Sequence, residues 1–277
     1  GSSGQIGTEL ILALAKIYGE DQIIATDINP NAKDKIGGIL FHQMDVLDVN
    51  HLESVVKENQ VSEIYLLAAL LSAVSEQKIR SAWDLNMNGL FNVLELARSG
   101  TIERVFWPSS IAVFGPSSPK KNTPQNAILE PTTVYGISKC AGERWCDYYF
   151  KKFGVDVRSI RYPGIISYKS KPGGGTTDYA VEIFHEALAN SKYTCFIDKD
   201  IYLPMMYMDD AIRATIELMQ VEKEVFTVFK SYNVSAESFS PSEIAKEILQ
   251  FIPDFEITYA PDFRNDIALS WPSSIND

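Results

Sequence analysis

The chain has 277 residues, 45% of them hydrophobic and 22% charged, proportions that suit one large globular unit or one unit with a smaller lobe. A formal net charge of −11 makes nucleic acid a poor partner, and no apolar run reaches the length of a membrane span. Cys140, Cys146 and Cys195 form no C-x-x-C pair and His42, His51 and His185 have no metal-ligand spacing, so neither a disulfide framework nor a metal site is expected; a reducing compartment, the cytoplasm, fits best.

Taken in chain order, Gly1, Gly4 and Gly7 make a glycine-spaced loop that runs into an amphipathic helix over 6–18, with Ile6, Leu10, Leu14 and Ile17 on one face. Strands follow at 22–27 and 39–44, a helix at 49–59, a strand at 63–67, a helix at 82–98, a strand at 104–107 closed by Pro108, a long helix at 135–153 and a strand at 156–161. Strands alternating with helices predict parallel βαβ units and a Rossmann-like, doubly wound α/β sheet. Such a sheet opens with a strand ahead of its glycine loop. These residues start at the loop, so the first strand is expected to be missing. Past about 165 the pattern changes to helices at 178–190, 209–220 and 241–250 among short strands and prolines. The reading is a nucleotide-binding domain over 1–165 and a smaller substrate lobe over 166–277, partly interleaved with the sheet.

The glycine loop suits a pyrophosphate, because small residues let the backbone approach and a helix N-terminus points at the negative charge. Asp27 ends the second strand 20 residues after Gly7, where an acid accepts hydrogen bonds from an adenosine ribose; without the glycines it would be read as a turn residue. No arginine follows it closely, so a 2′-phosphate would meet a negative charge and NAD is preferred to NADP. Asp45-Val46 either borders the adenine or forms a turn. Ala68-Ala69-Leu70 follows the 63–67 strand, the fourth when the missing first one is counted, where small residues leave room for a cofactor or simply pack.

Tyr135 and Lys139 lie at i and i+4 on one helix face. An ammonium beside a phenol favours the phenolate, which suits a base that removes a hydroxyl proton. Tyr148 and Lys152 match the same spacing, but only Tyr135 opens a helix with Ser109-Ser110 upstream at a strand end.

With these pieces in order, together with Asn86-x-x-Gly89 and Ser110-Ile111-Ala112-Val113-Phe114-Gly115, the chain resembles the extended short-chain dehydrogenase/reductase family. The resemblance implies that Tyr135 is general base, that Lys139 lowers its pKa and holds the nicotinamide ribose, that Ser110 hydrogen-bonds the reacting oxygen, and that Asn86 anchors the neighbouring helix. It also implies cofactor contacts from Gly1, Gly4, Gln5, Ile6 and Gly7, from Asp27, Asp45 and Val46, from Leu67, Ala68 and Ala69, and from Tyr135, Lys139 and Tyr162. The second half, through Pro172-Gly173-Gly174-Gly175-Thr176-Thr177-Asp178, Leu203-Pro204-Met205-Met206-Tyr207 and Ser270-Trp271-Pro272, is similar to the threonine-oxidising branch of that family. That implies an NAD-dependent enzyme acting on the C3 hydroxyl of L-threonine, with Ser72, Ser110, Tyr135, Thr177 and Trp271 around the substrate. Other readings stand beside these roles: Ser72 or Thr177 as a helix cap, Trp271 as core, and Arg161 as either substrate-facing or structural. A homodimer is expected by analogy. The alternatives are a sugar-nucleotide epimerase or dehydratase of the same family, or a non-catalytic dinucleotide sensor. Gly164, where sugar-nucleotide enzymes commonly carry Asn, points to the smaller substrate.

Overall fold

The computed structural model describes residues 1–227 and 229–276. Helix α1 (Gln5–Tyr18) starts at Gly4, whose missing side chain leaves the first-turn N–H groups without a side-chain cap. It buries Leu10, Ile11 and Leu14, whereas the expected Ile17 is half exposed. Strand β1 (Ile24–Asp27) pairs in parallel with β2 (Leu40–Gln43). Helix α2 (Val49–Glu58) is capped by Asp48, whose carboxylate accepts from the His51 amide. The main sheet is parallel. It contains β3 (Glu63–Tyr65), β4 (Arg104–Phe106), β6 (Asp156–Tyr162) and β10 (Ser231–Asn233) in the spatial order β10-β6-β4-β3, and the short β5 (Ser109–Ser110) extends it beside the end of β6.

Two departures from the predicted pattern shape the centre of the molecule. A short helix α3 (Ser72–Gln77), too brief to show a period, follows β3. The helix expected over 82–98 is broken into α4 (Ile79–Trp83), a π turn (Asp84–Asn88) and α5 (Gly89–Arg98). Wide turns of this kind concentrate at functional sites. Here the turn directs Asn86 inward: its Oδ1 accepts from the Leu70 amide at 2.9 Å and its Nδ2 donates to the Ser138 hydroxyl at 3.2 Å. One carboxamide thus ties the chain leaving β3 to helix α6 (Val134–Phe153). Thr133 caps α6 through the Gly136 amide, and Gly154 ends it in the left-handed conformation.

Beyond β6 the chain builds a second lobe and then returns. Strand β7 (Gly164–Ile166) pairs with β9 (Leu203–Tyr207), which pairs with β11 (Glu237–Phe239); β8 (Lys192–Cys195) pairs with β12 (Glu256–Tyr259). Helices α7 (Tyr179–Asn190), α9 (Pro241–Phe251) and α10 (Phe263–Ser270) pack with them around Tyr179, Ile183, Phe196, Leu203 and Trp271. Helix α8 (Met208–Gln220), by contrast, buries Met208, Ile212 and Ile216 against Leu10 and Leu14 of α1, and β10 joins the main sheet next to β6. The position 165 falls inside β7, so the sequence cut passes through a strand. Among the described residues no helix is long and apolar enough to cross a membrane.

The β1-β2 pair is not hydrogen-bonded to β3. Between them lies a cavity of about 490 Å³, bounded by Leu10, Ile11 and Leu14 on one face, by Leu52, Val55 and Val56 on the other, and by Ala25 and Ile64 at the two sheet edges.

Candidate active site

The glycines lie where two backbones meet. A Cβ on Gly1 would stand 2.6 Å from the Ala68 amide nitrogen, and one on Gly7 would strike the Gly1 carbonyl. Any side chain would therefore force the loop away from the end of β3. Beside the loop Asp27 is buried, and its Oδ2 accepts from the Ser3 amide at 2.8 Å and the Ser3 hydroxyl at 2.9 Å while its Oδ1 accepts from the Asn29 amide at 2.9 Å. Burial raises its pKa, but these donors outweigh burial and hold the carboxyl below its usual range, so it is an anion at neutral pH. A tight backbone cradle, an uncapped helix start and a fixed anion are features that fit a dinucleotide with a free ribose. Gln5, on the first turn, donates to the Ser167 hydroxyl at 3.0 Å, and Ile6 packs into the core between α1 and α8. Asp45 makes a turn through the Leu47 amide at 2.9 Å, and Val46 packs against Gly89 at the start of α5. Ala68 and Ala69 are half-buried beside the loop.

The proton-transfer groups converge past the ends of β4 and β5. Ser110 ends β5 and its Oγ accepts from the Ala112 amide. Gly136 lets the first turn of α6 press on that segment, since a Cβ there would strike the Ala112 carbonyl. Tyr135 is thereby set beside Ser110. The Lys139 ammonium donates to the Pro108 carbonyl at 2.5 Å and lies 5.5 Å from the centre of the Tyr135 ring and 4.6 Å from that of Trp107. Burial pushes the Tyr135 phenol up, opposed by its hydrogen bond with Ser110. Burial likewise pulls Lys139 down to about 7, opposed by Cys146 and Glu143. The rival pair, Tyr148 and Lys152, is on the outside: Tyr148 is 47% exposed and stacked edge-on to Trp145 and Phe153.

Not every expected side chain reaches this cleft directly. Tyr162 does not: its hydroxyl pairs with Thr215 of α8 and its ring packs on Phe106. Ser72 is 3% exposed and is engaged by Thr176, exchanging a hydroxyl bond at 2.9 Å and accepting from its amide at 3.0 Å. It neither caps α3 nor stands free; it clamps the glycine-rich loop to α3. Thr177 packs against Gly164. Trp271 is 6% exposed within the second-lobe core, with its indole N–H unpartnered. Lys120, which no motif singles out, holds that segment by donating to the carbonyls of Leu269, Ser270 and Trp271 at 2.8–3.1 Å. Arg161 is structural, bound to Glu143.

Asp178 completes the loop. Its Oδ2 accepts from both the Gly174 and Gly175 amides at 2.7 Å. Burial raises its pKa to about 6 despite these donors, with Glu182 adding to the rise and Arg264 opposing it. The folded chain therefore holds this proton more tightly than the unfolded chain does. Stability from the group is complete below about pH 4 and is lost as pH climbs through about 6. At about 1.4 kcal/mol per pH unit, the ionised carboxylate costs the fold on the order of 2–3 kcal/mol at neutral pH. Asp178→Asn keeps an oxygen for both amides and removes the charge. Calorimetry should therefore find the variant more stable at pH 7, with no fall in Tm between pH 4 and 6 from this source; a less stable variant would show that the loop needs the charge.

Three comparisons bear on this arrangement. The chain matches the NAD dependent epimerase/dehydratase family over residues 1–235. A relative from Staphylococcus haemolyticus, described as an uncharacterized epimerase/dehydratase, is 49% identical over 278 residues, covering 100% of this chain and 87% of its own length. The solved structure of a GalE-like L-threonine dehydrogenase from Cupriavidus necator in its holo form superposes with a TM-score of 0.96 at 53% identity, covering 100% of this chain and 89% of that one. A monomeric L-threonine 3-dehydrogenase from a metagenome gives 0.96 at 50% identity, covering 100% and 88%. The chain belongs to the NAD-dependent epimerase/dehydratase family.

Proposed function

We propose that this chain is an NAD-dependent L-threonine 3-dehydrogenase. The observation that carries the reading is the assembly of Ser110, Tyr135 and Lys139 beside a dinucleotide cradle and a glycine loop locked by Ser72 and Asp178. Its likeness in sequence and fold to threonine dehydrogenases supports it. NAD, which the glycine cradle and Asp27 would hold, would supply the acceptor for the hydride of threonine C3. Ser110 donates a hydrogen bond to the reacting oxygen. Tyr135, as phenolate, removes the hydroxyl proton, and the Lys139 ammonium stabilises that phenolate. The products are 2-amino-3-oxobutyrate, NADH and a proton. Asp27, as an anion at the ribose, favours NAD over NADP. The cofactor lies on the 1–165 part, and the substrate meets residues of 166–277 through Thr177 and Trp271, with Ser72 reached through its clamp.

The sugar-nucleotide alternative is disfavoured at Gly164. A Cβ there would stand 2.2 Å from the Met205 sulfur and 2.9 Å from the Cβ and the methyl of Thr177, so the space for a side chain is already filled. An amide at this point could not reach a diphosphate. The test is reduction of NAD in the presence of L-threonine, with serine, a UDP-hexose and NADP in parallel. Turnover of the UDP-hexose with none of threonine would replace this reading.

We also propose a cytoplasmic homodimer. The exposed aromatic cluster of Trp145, Tyr148 and Phe153 on α6, backed by Phe91 of α5, is a face suited to a second copy. Light scattering should give twice the chain mass, and Trp145→Glu should halve it. A monomer, the state named for the metagenome relative, would remove this part of the proposal.

A further inference from the structure

On α6, Tyr135, Lys139 and Glu143 are spaced four residues apart and therefore stack along one face. The proposed chemistry uses the first two and leaves the third unexplained. Glu143 is 5% exposed and is gripped from the sheet. Its Oε1 accepts from the Ser109 hydroxyl at 2.6 Å and from Arg161 Nε at 2.8 Å, and its Oε2 accepts from Arg161 Nη2 at 2.8 Å. Arg161 is itself fully engaged, donating to the Gln125 carbonyl at 3.0 Å and to Asn233 Oδ1 at 3.2 Å with its guanidinium 5.2 Å from the centre of the Phe114 ring. Ser109 and Arg161 are register partners across β5 and β6. The carboxylate thus fastens the strand tip that carries Ser110 to the helix that carries Tyr135 and Lys139. Buried ion pairs contribute little net stability over apolar groups of the same shape, so stability alone does not explain this one.

The pair also bears on charge. The titratable groups near Lys139 are Tyr135, Glu143 and Cys146, all on α6. From β4 and the segment after it come the Trp107 ring and the Pro108 carbonyl, both neutral, and from the π turn the neutral Asn86, which bonds to the adjacent Ser138. From β6 comes Arg161, paired with Glu143.

We propose that Glu143 and Arg161 are positioning residues for the reaction: together they hold Ser110 in register with Tyr135, and they set the balance of charge that the Lys139 ammonium faces. The inference rests on the dehydrogenase reading, but its main test needs no substrate. The two halves of the pair must act with opposite sign. In the ¹⁵N-labelled full chain, the Lys139 ammonium resonance, identified by its loss in Lys139→Met, is titrated by NMR. Glu143→Gln leaves the arginine cation and should lower the midpoint by about one pH unit or more; Arg161→Met leaves the carboxylate and should raise it. The Glu143→Gln, Arg161→Met double variant removes both charges and with them the unpaired ion that could unfold either single variant, so its midpoint should return close to the wild type. Ser109→Ala, with both charges kept, tests the register: kcat for threonine should fall about tenfold while KM and NAD affinity stay within about twofold. Shifts of equal sign in the single variants, or a double variant displaced as far as Glu143→Gln, would overturn the charge role; wild-type kcat in Ser109→Ala would overturn the register role. Should the single variants not fold, the double variant and Ser109→Ala decide the matter. A wild type that reduces no NAD with threonine sinks the threonine reading, and the lysine titration still answers for the pair.

Discussion

Tyr135→Phe should fold, bind NAD with unchanged affinity, and oxidise threonine at least about a thousandfold more slowly than the wild type. The ring is partly buried against the core cluster that includes Ile111 and Phe114, and phenylalanine preserves that packing. What is lost is one oxygen, hydrogen-bonded with Ser110 in a desolvated setting. That setting opposes both partners: it pushes the phenol up and pulls the Lys139 ammonium down to about 7. Neither group ionises easily alone, but a phenolate next to an ammonium relieves both penalties. Lys139→Met should therefore also stop turnover while leaving Tyr135 in place. Since nothing in the glycine cradle or around Asp27 touches the phenol, isothermal calorimetry with NAD should give the same Kd for wild type and Tyr135→Phe. Activity within about tenfold of the wild type would remove Tyr135 as the base.

The parts of this site readable from sequence are those set by local spacing. The Tyr135–Lys139 helix face, the glycine loop and Asp27 each follow from residues within a few turns of one another, and context at Ser109-Ser110 separates Tyr135 from Tyr148. The parts that are unreadable depend on pairing across the fold. Glu143 is as regularly spaced as Lys139, yet its meaning comes from Arg161 on β6 and Ser109 on β5. Resemblance gives Tyr162 a cofactor contact, but the partner of its phenol, Thr215, is 53 residues away. Resemblance likewise puts Ser72 at the substrate, but its partner Thr176 is 104 residues away. In the second lobe, β8 and β12 are short strands that pair across an intervening stretch holding α8, α9 and three other strands, which no periodicity can announce. The break of the 82–98 helix has the same origin, since the π turn exists to bring Asn86 to Leu70 and Ser138.

The largest change in stability should come from adding atoms at the cavity between β1 and β3. The two edges are not hydrogen-bonded to each other, and the faces above and below are apolar side chains of α1 and α2. The chain already enters from one side, where the Ser2 amide donates to the Thr26 carbonyl at 3.1 Å, so residues joined ahead of Gly1 would be aimed along the slot. A leader of about five small and β-branched apolar residues should run parallel to both edges, complete their ladders and fill the space. Its volume is about 490 Å³. Each buried apolar side chain of the leader gains about 1.5–3 kcal/mol, against about 1.5 kcal/mol lost for each residue ordered. The surplus is a few kcal/mol, which for a chain of this size corresponds to a rise in Tm on the order of 10 °C. A leader of equal length alternating Lys and Glu should give no rise, because it would bury charge without partners. Equal Tm for the apolar leader and the unextended chain would mean that β1 and β3 close on each other in solution. In that case the slot is not a strand position, and the glycine loop is held by Asp27 and by the hydrogen bonds of Gly1 and Ser2 to the Thr26 carbonyl.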